Sequence, residues 1–156
     1  MKKIRLYPLL FLLLGYFVIS CGDDNGPTDP AKTPEERAIE ALAGESSITW
    51  RVNGGGSVTK DGNNVTQDFS SFQIRFINDK NYTTQNSNNL FDNSGTWAFV
   101  GSNFDKIELS GNQPAAGREI SFTQTGNDLN LTFNVPVPNT RTEALAGNYV
   151  FSLKKQ

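Results

Sequence analysis

The sequence predicts an all-β domain: an eight-stranded antiparallel up-and-down barrel preceded by one short helix. Three observations predict it. From Ser46 onward, large apolar residues alternate with polar ones at a period of two. Clusters of Gly, Asn and Asp punctuate these alternating runs at the places where hairpin turns need them. Most of the intervening connections are short, so consecutive strands pair without long crossovers, and closure removes exposed sheet edges. A Greek-key sandwich is the competing architecture, because two connections, 111–117 and 136–146, exceed six residues.

The helix comes first. Thr33-Pro34-Glu35-Glu36 has an N-cap residue, a proline suited to the first helical position and a glutamate that completes a capping box. Glu35 and Glu36 also complement the positive end of the helix dipole. Ala38, Ile39 and Leu42 share one face, and Gly44 is placed to end the helix. So narrow an apolar stripe over about three turns is not stable alone, so the helix is expected to lie against the strands.

Eight strands follow, at about 46–60, 64–77, 81–86, 94–100, 105–110, 118–125, 128–135 and 147–155. Ile48, Trp50 and Val52 mark the inward register of the first, and Phe72, Ile74 and Phe76 that of the second. Trp97 and Phe99, Ile107 and Leu109, and Ile120 and Phe122 continue it. Leu129, Leu131 and Phe133, then Tyr149, Phe151 and Leu153, complete it. One face is nearly all large and apolar and the other is polar, the pattern of half-buried antiparallel strands. Asp61-Gly62 reads as a tight hairpin at the tip of a long first pair, with Gly54-Gly55-Gly56 as a kink or bulge inside it. The pentapeptide Glu-Ala-Leu-Ala-Gly occurs at 40–44 and again at 143–147, each time just before a strand, and reads as two similar helix-to-strand junctions.

The first twenty residues read as an address rather than as structure. Lys2, Lys3 and Arg5 precede an apolar stretch from Leu6 to Ile19, 14 residues long. A spanning helix needs about 20 apolar residues, so this length suits a secretory signal. Val18-Ile19-Ser20-Cys21 resembles the lipobox of bacterial lipoproteins, and Cys21 is the one cysteine of the chain. That resemblance implies cleavage before Cys21 and a diacylglyceryl thioether on its sulfur. Two or three acyl chains there would hold the protein firmly on a membrane. Gly22-Asp23-Asp24 resembles the acidic tag of surface-exported lipoproteins of Bacteroides-type bacteria, with Asp23 and Asp24 as its carboxylates. The implied location is the outer membrane, cell-surface exposed, with periplasm-facing anchorage as the alternative. Residues 21–33, rich in Gly, Pro, Asp and Asn, then read as a flexible tether ahead of the domain at 34–156.

Composition narrows the chemistry. There is no His, and the lone Cys is taken by the lipobox, which excludes imidazole bases, Cys–His pairs, His metal sites and disulfide frameworks. Removing residues 1–20 leaves 11 of the 14 Lys and Arg against all 16 Asp and Glu, a net charge of −5 with no footprint for nucleic acid. Glu108 and Glu119 fall on outward strand positions rather than facing one another as a glycosidase pair. Asp61-Gly62-Asn63-Asn64 has one acid, too few for a calcium loop. No catalytic residue, metal or cofactor is assigned.

From Ala43 to Lys155 the chain resembles the lipocalin-like domains of small Bacteroides-type lipoproteins. The matching pieces are Ile48-Thr49-Trp50, Ser94-Gly95-Thr96-Trp97 with Phe99, and Gly147-Asn148-Tyr149-Val150-Phe151-Ser152-Leu153. The resemblance implies a small barrel on a lipid anchor with no assigned reaction. The chain lacks the Gly-X-Trp of true lipocalins at its first strand, since Gly44 and Trp50 are six residues apart. Two readings of function follow. In the first, the domain is a non-catalytic interaction or display module that offers its loops at 53–68 and 86–94 to another envelope protein. In the alternative, the barrel interior binds a small apolar or glycan-derived ligand, lined by Trp50, Phe72, Trp97, Phe99 and Tyr149.

Overall fold

The computed structural model describes residues 31–137 and 143–156. Cys21, Asp23, Asp24, the signal segment and the tether through residue 30 lie outside the described residues.

Helix α1 spans Pro34–Ala43 and starts as its sequence dictates. The Thr33 hydroxyl accepts from Glu36 N at 3.1 Å, and the Glu36 carboxylate accepts from Thr33 N at 2.7 Å. Two amides that a helix start leaves without partners are thereby satisfied together. Leu42 and Ala43 are buried and Ile39 packs against the core.

Ten strands follow: β1 (Ser47–Arg51), β2 (Ser57–Lys60), β3 (Asn63–Asn64), β4 (Gln73–Ile77), β5 (Asn81–Gln85), β6 (Ser94–Phe99), β7 (Lys106–Leu109), β8 (Ile120–Thr125), β9 (Asp128–Val135) and β10 (Gly147–Lys155). The sheet runs β1-β4-β5-β6-β7-β8-β9-β10 and closes by β1 pairing with β10, Trp50 opposite Lys155 and Arg51 opposite Lys154. Every pairing is antiparallel. The result is a closed barrel of eight strands, with β2 extending its first strand and β3 folding back onto β2.

β1 and β2 are two halves of the expected first strand. Both lie along β10, and the residues between them, 52–56, stand opposite Leu153 alone. This is the Gly-rich bulge. Gly56 fits because a Cβ there would come within 2.6 Å of Ser152 O and 2.8 Å of Val52 O. At the tip, Asp61 and Gly62 have φ of 50° and 79°, the pair of left-handed conformations that a two-residue type I′ hairpin needs.

The expected second strand, 64–77, is corrected. Only Asn63–Asn64 pair back onto β2, after which a 3₁₀ turn at Thr66–Phe69 interrupts the ladder and β4 resumes at Gln73. Polar side chains cause the break. Asn64 Oδ1 accepts from Thr66 N at 2.9 Å, and the Thr66 hydroxyl accepts from Val58 N at 3.0 Å, so local bonds replace the ladder. The turn drives Phe69 into the core, where it is 3% exposed.

The repeated pentapeptide ends one helical segment before β1 and another, the 3₁₀ turn Glu143–Leu145, before β10. In each copy the Leu carbonyl accepts from an aromatic side chain of the strand that follows. Trp50 Nε1 donates to Leu42 O at 2.8 Å, and the Tyr149 hydroxyl donates to Leu145 O at 3.1 Å. A helix-end carbonyl, which lacks an intrahelical partner, is thus bonded to a core ring.

Alternating strand direction sorts the connections to two ends. α1, the turns at 78–80, 100–105 and 126–127, and the C-terminus lie at one end. The 61–62 hairpin, the Thr66–Phe69 turn, the connections at 86–93 and 110–119, and the described residues that follow β9 and precede β10 lie at the other. The first is called the helix end below and the second the loop end.

Replacing Trp50 with Phe removes the bond to Leu42 O and leaves that buried carbonyl unpaired. The expected loss is about 2–3 kcal/mol. It should appear as a lower urea midpoint with an unchanged slope, followed by the fluorescence of Trp97.

Candidate functional site

In the alternative reading the barrel interior is the ligand site, and most of its aromatic residues fall into two separate ring networks. Near the loop end, Phe69, Phe72, Phe91, Phe133, Tyr149 and Phe151 pack together. Phe72 stacks on Phe91 at 5.3 Å between centroids, Phe133 stacks on Tyr149 at 5.5 Å, and Phe69 meets Phe151 edge-on at 5.1 Å. Near the helix end, Trp97 meets Phe76 at 5.9 Å and Phe99 at 5.3 Å, and Phe99 continues to Phe104 and Phe122. Edge-on and offset contacts of this kind stabilise beyond the area they bury.

Of the five candidate lining residues, Trp50 and Phe72 are fully buried, Tyr149 is 1% exposed and Trp97 is 2% exposed. Phe99 is half-buried. They are not brought together around one space. Phe72 and Tyr149 belong to the loop-end network, while Trp97 and Phe99 belong to the helix-end network, and Trp50 is tied to α1. Their polar atoms are also engaged within the protein, Trp97 Nε1 with Ile77 O at 3.3 Å.

Sequence periodicity missed the residues that stop the two ends. At the loop end, Leu90 is fully buried and Phe91 is 2% exposed, although both sit in the Asn-rich connection 86–93. The Ser87 hydroxyl donates to Phe91 O at 2.7 Å, the Thr84 hydroxyl to Asp92 O at 2.7 Å, and Asn86 Nδ2 to Ser71 O at 2.9 Å. Asn86, Asn88 and Asn89 all have positive φ, which asparagine tolerates better than most residues. The Asp92 carboxylate accepts from the backbone N–H groups of Asn112 and Gln113 at 2.9 and 2.8 Å, clamping the neighbouring connection to the plug. The available signal was the Leu90-Phe91 pair itself, two large apolar residues inside a polar loop.

The helix end is stopped differently. Phe104 holds a φ of 56°, uncommon for a bulky residue, and sets its ring against Phe99 at 5.2 Å. The Lys80 ammonium stands 4.1 Å from the Phe99 ring centroid and 4.6 Å from that of Trp97, and pairs with Glu35 of α1 at 3.2 Å. One cation therefore joins the helix to the aromatic stop.

Among the described residues, the grooves on the outer surface lie outside the barrel. Two grooves of about 390 and 280 Å³ flank Leu145 at the loop end. The larger is bordered by Asn89, Gln113, Pro114, Arg118 and Pro136, and the smaller by Lys60, Asp68, Asn88 and Tyr149. A third, about 290 Å³, lies beside α1. Glu108 is exposed on β7, and Glu119 pairs with Lys106 at 2.6 Å. No group of three metal-ligating side chains occurs among the described residues.

No protein-family model matches the chain, and no curated protein or solved structure shows significant similarity to it. The class rests on the fold: a small closed β-barrel with an aromatic-filled interior and a loop-built plug.

Two expectations follow. Phe91→Ala should cost about 3–5 kcal/mol in urea unfolding, because it empties a ring from the core. A cost below about 1 kcal/mol would mean that the 86–93 connection is a loose lid and not part of the packing. Burial, reinforced by the Asp92 carboxylate, pushes the Tyr82 phenol from 10.0 up to about 12. Between those values the unfolded chain has lost this proton and the folded one keeps it, so stability is full below the lower value and falls as pH rises toward the higher. Tyr82→Phe should flatten that alkaline decline, measured by urea midpoints against pH.

Proposed function

We propose that the protein is a lipid-anchored cell-envelope lipoprotein whose lipocalin-like barrel is a non-catalytic interaction module. Cys21 carries the lipid, Asp23 and Asp24 direct the chain to the cell surface, and the loop end of the barrel contacts another envelope protein. One observation carries the reading. The residues that would line an internal ligand site are consumed by core packing, which leaves the outer surface for recognition.

The direction of the chain adds to it. The domain begins at the helix end, where Lys32 pairs with Glu40 at 2.7 Å and Lys80 with Glu35. The opposite end of the domain carries the irregular connections and two grooves. The alternative, a small apolar or glycan-derived ligand inside the barrel, requires Leu90 and Phe91 to withdraw first.

A photo-crosslinking amino acid at Asn89 or Asn112 tests the loop end, with Asp79 or Asn127 as helix-end controls. In intact cells, the loop-end positions should yield a discrete adduct with a second protein and the controls should not. Recovery of monomer alone from every position would sink the interaction reading. Cys21→Ser should abolish incorporation of a labelled fatty acid and release the protein from the membrane fraction. Protease shaving of whole cells, with Asp23 and Asp24 changed to Ala, reads the surface assignment. A small molecule co-purifying in native mass spectrometry would favour the alternative.

A further inference from the structure

We propose that Asn53 is a site of spontaneous covalent modification, converted in the folded protein to aspartyl and isoaspartyl forms while the barrel stays intact. Asn53-Gly54 is the one Asn-Gly pair among the described residues. Asn53 is exposed, and its side chain has no hydrogen-bond partner among those residues. Nor has the Gly54 N–H, whereas the N–H of Gly56, two residues on, is held by Val52 O at 2.8 Å. Gly54 has a φ of 97°, and nothing lies within 4 Å of the place where a Cβ would stand. The nucleophile and the electrophile are therefore adjacent, unshielded and unbonded.

The step needs only water. Gly54 N attacks Asn53 Cγ and forms a five-membered cyclic imide. The carboxamide nitrogen leaves as ammonia, taking up the proton that Gly54 N gives away. Water then opens the imide at either of its carbonyls. One opening gives aspartate, and the other gives isoaspartate, whose main chain runs through the former side chain and is one methylene longer.

The fold is built to absorb that extra length. Residues 52–56 form the bulge opposite Leu153, so neither Asn53 nor Gly54 takes part in a ladder pairing. The flanking pairs, Arg51 with Lys154 and Ser57 with Ser152, lie outside the altered link.

The test uses the full-length protein. Trypsin cleaves after Arg51 and Lys60, so the peptide Val52–Lys60 carries Asn53 as its single asparagine and is separated from the peptide that holds Asn25-Gly26. On storage of the folded protein in mildly alkaline buffer, this peptide should gain about 1 Da and become a substrate for isoaspartyl methyltransferase. Its rate should lie within about threefold of the synthetic peptide of the same sequence, as expected for an unprotected backbone. The converted protein should keep its circular dichroism and its melting temperature. Asn53→Gln should fold normally and abolish the mass gain. If the folded protein's peptide stays unchanged while the urea-unfolded protein and the free peptide convert, the proposal is overturned. It is equally overturned if the modified form is recovered only unfolded.

Discussion

A sheet closed at eight strands encloses a cylinder that side chains have to fill, and the rest of this structure depends on how that is done. Here the filling is aromatic. The strands supply Trp50, Phe76, Trp97, Phe133, Tyr149 and Phe151, but inward positions on strands line the wall and leave both mouths open. The mouths are stopped by residues outside the strands: Phe69 from a 3₁₀ turn, Phe72 just ahead of β4, Leu90 and Phe91 from a loop, and Phe104 from a turn. Each of these brings backbone to a place where ordinary strand geometry does not reach. The cost is visible as positive φ at Asn86, Asn88, Asn89 and Phe104. The polar contacts at the loop end, from Asn86, Ser87 and Asp92, satisfy backbone groups that the plug would otherwise leave unpaired.

Closure concentrates the topology on β10. It pairs with β9 over the whole stretch from Gly147–Val135 to Lys154–Asp128, and its other edge takes β1 and then β2 in turn. β1 pairs with β4 on one edge and β10 on the other, and the chain bulges at 52–56 before β2 returns to the same edge of β10 further along. The two Glu-Ala-Leu-Ala-Gly segments sit immediately before the two strands that close the barrel. Their Leu carbonyls are bonded by Trp50 of β1 and Tyr149 of β10, so each copy fixes the entry of one closing strand to the core. A chain feature that looked incidental in sequence thus has one physical role performed twice.

Most of the barrel was legible because its strands are buried on one face only, and a period of two survives in such strands. The burial of β9 alternates without a break from Asp128 to Val135, and β10 nearly as cleanly. The Asp61-Gly62 hairpin, the Gly-rich bulge and the capping box at Thr33 were legible because each depends on a few local residues with specific conformations. The Thr66–Phe69 break was not, because Val65 and Phe69 keep a strand-like spacing while Thr66 and Asn64 bond the backbone locally. Leu90 and Phe91 escaped because a loop has no periodicity to betray which way a side chain points. The division of the expected lining residues was hidden for another reason. Alternation tells which face a residue is on, but not its height along the barrel, so Trp97 and Tyr149 looked like neighbours while belonging to separate networks.

The two ends of the barrel differ in construction, and that difference bears on function. At the helix end the connections are mostly tight, and α1 is fastened over them by the Trp50–Leu42 bond, the Lys80–Glu35 pair and the bond from Asn78 Nδ2 to Glu45 O. At the loop end the connections are long and bonded mainly to one another, and the surface between them is grooved. A packed interior fixes the positions of these long connections without lending them its volume. Loops on a rigid scaffold are where recognition residues are most readily placed, because their side chains are free to vary while the ladder beneath is not. A barrel used in this way needs its core full: every ring withdrawn to make room for a ligand would loosen the loops that the same rings hold in place.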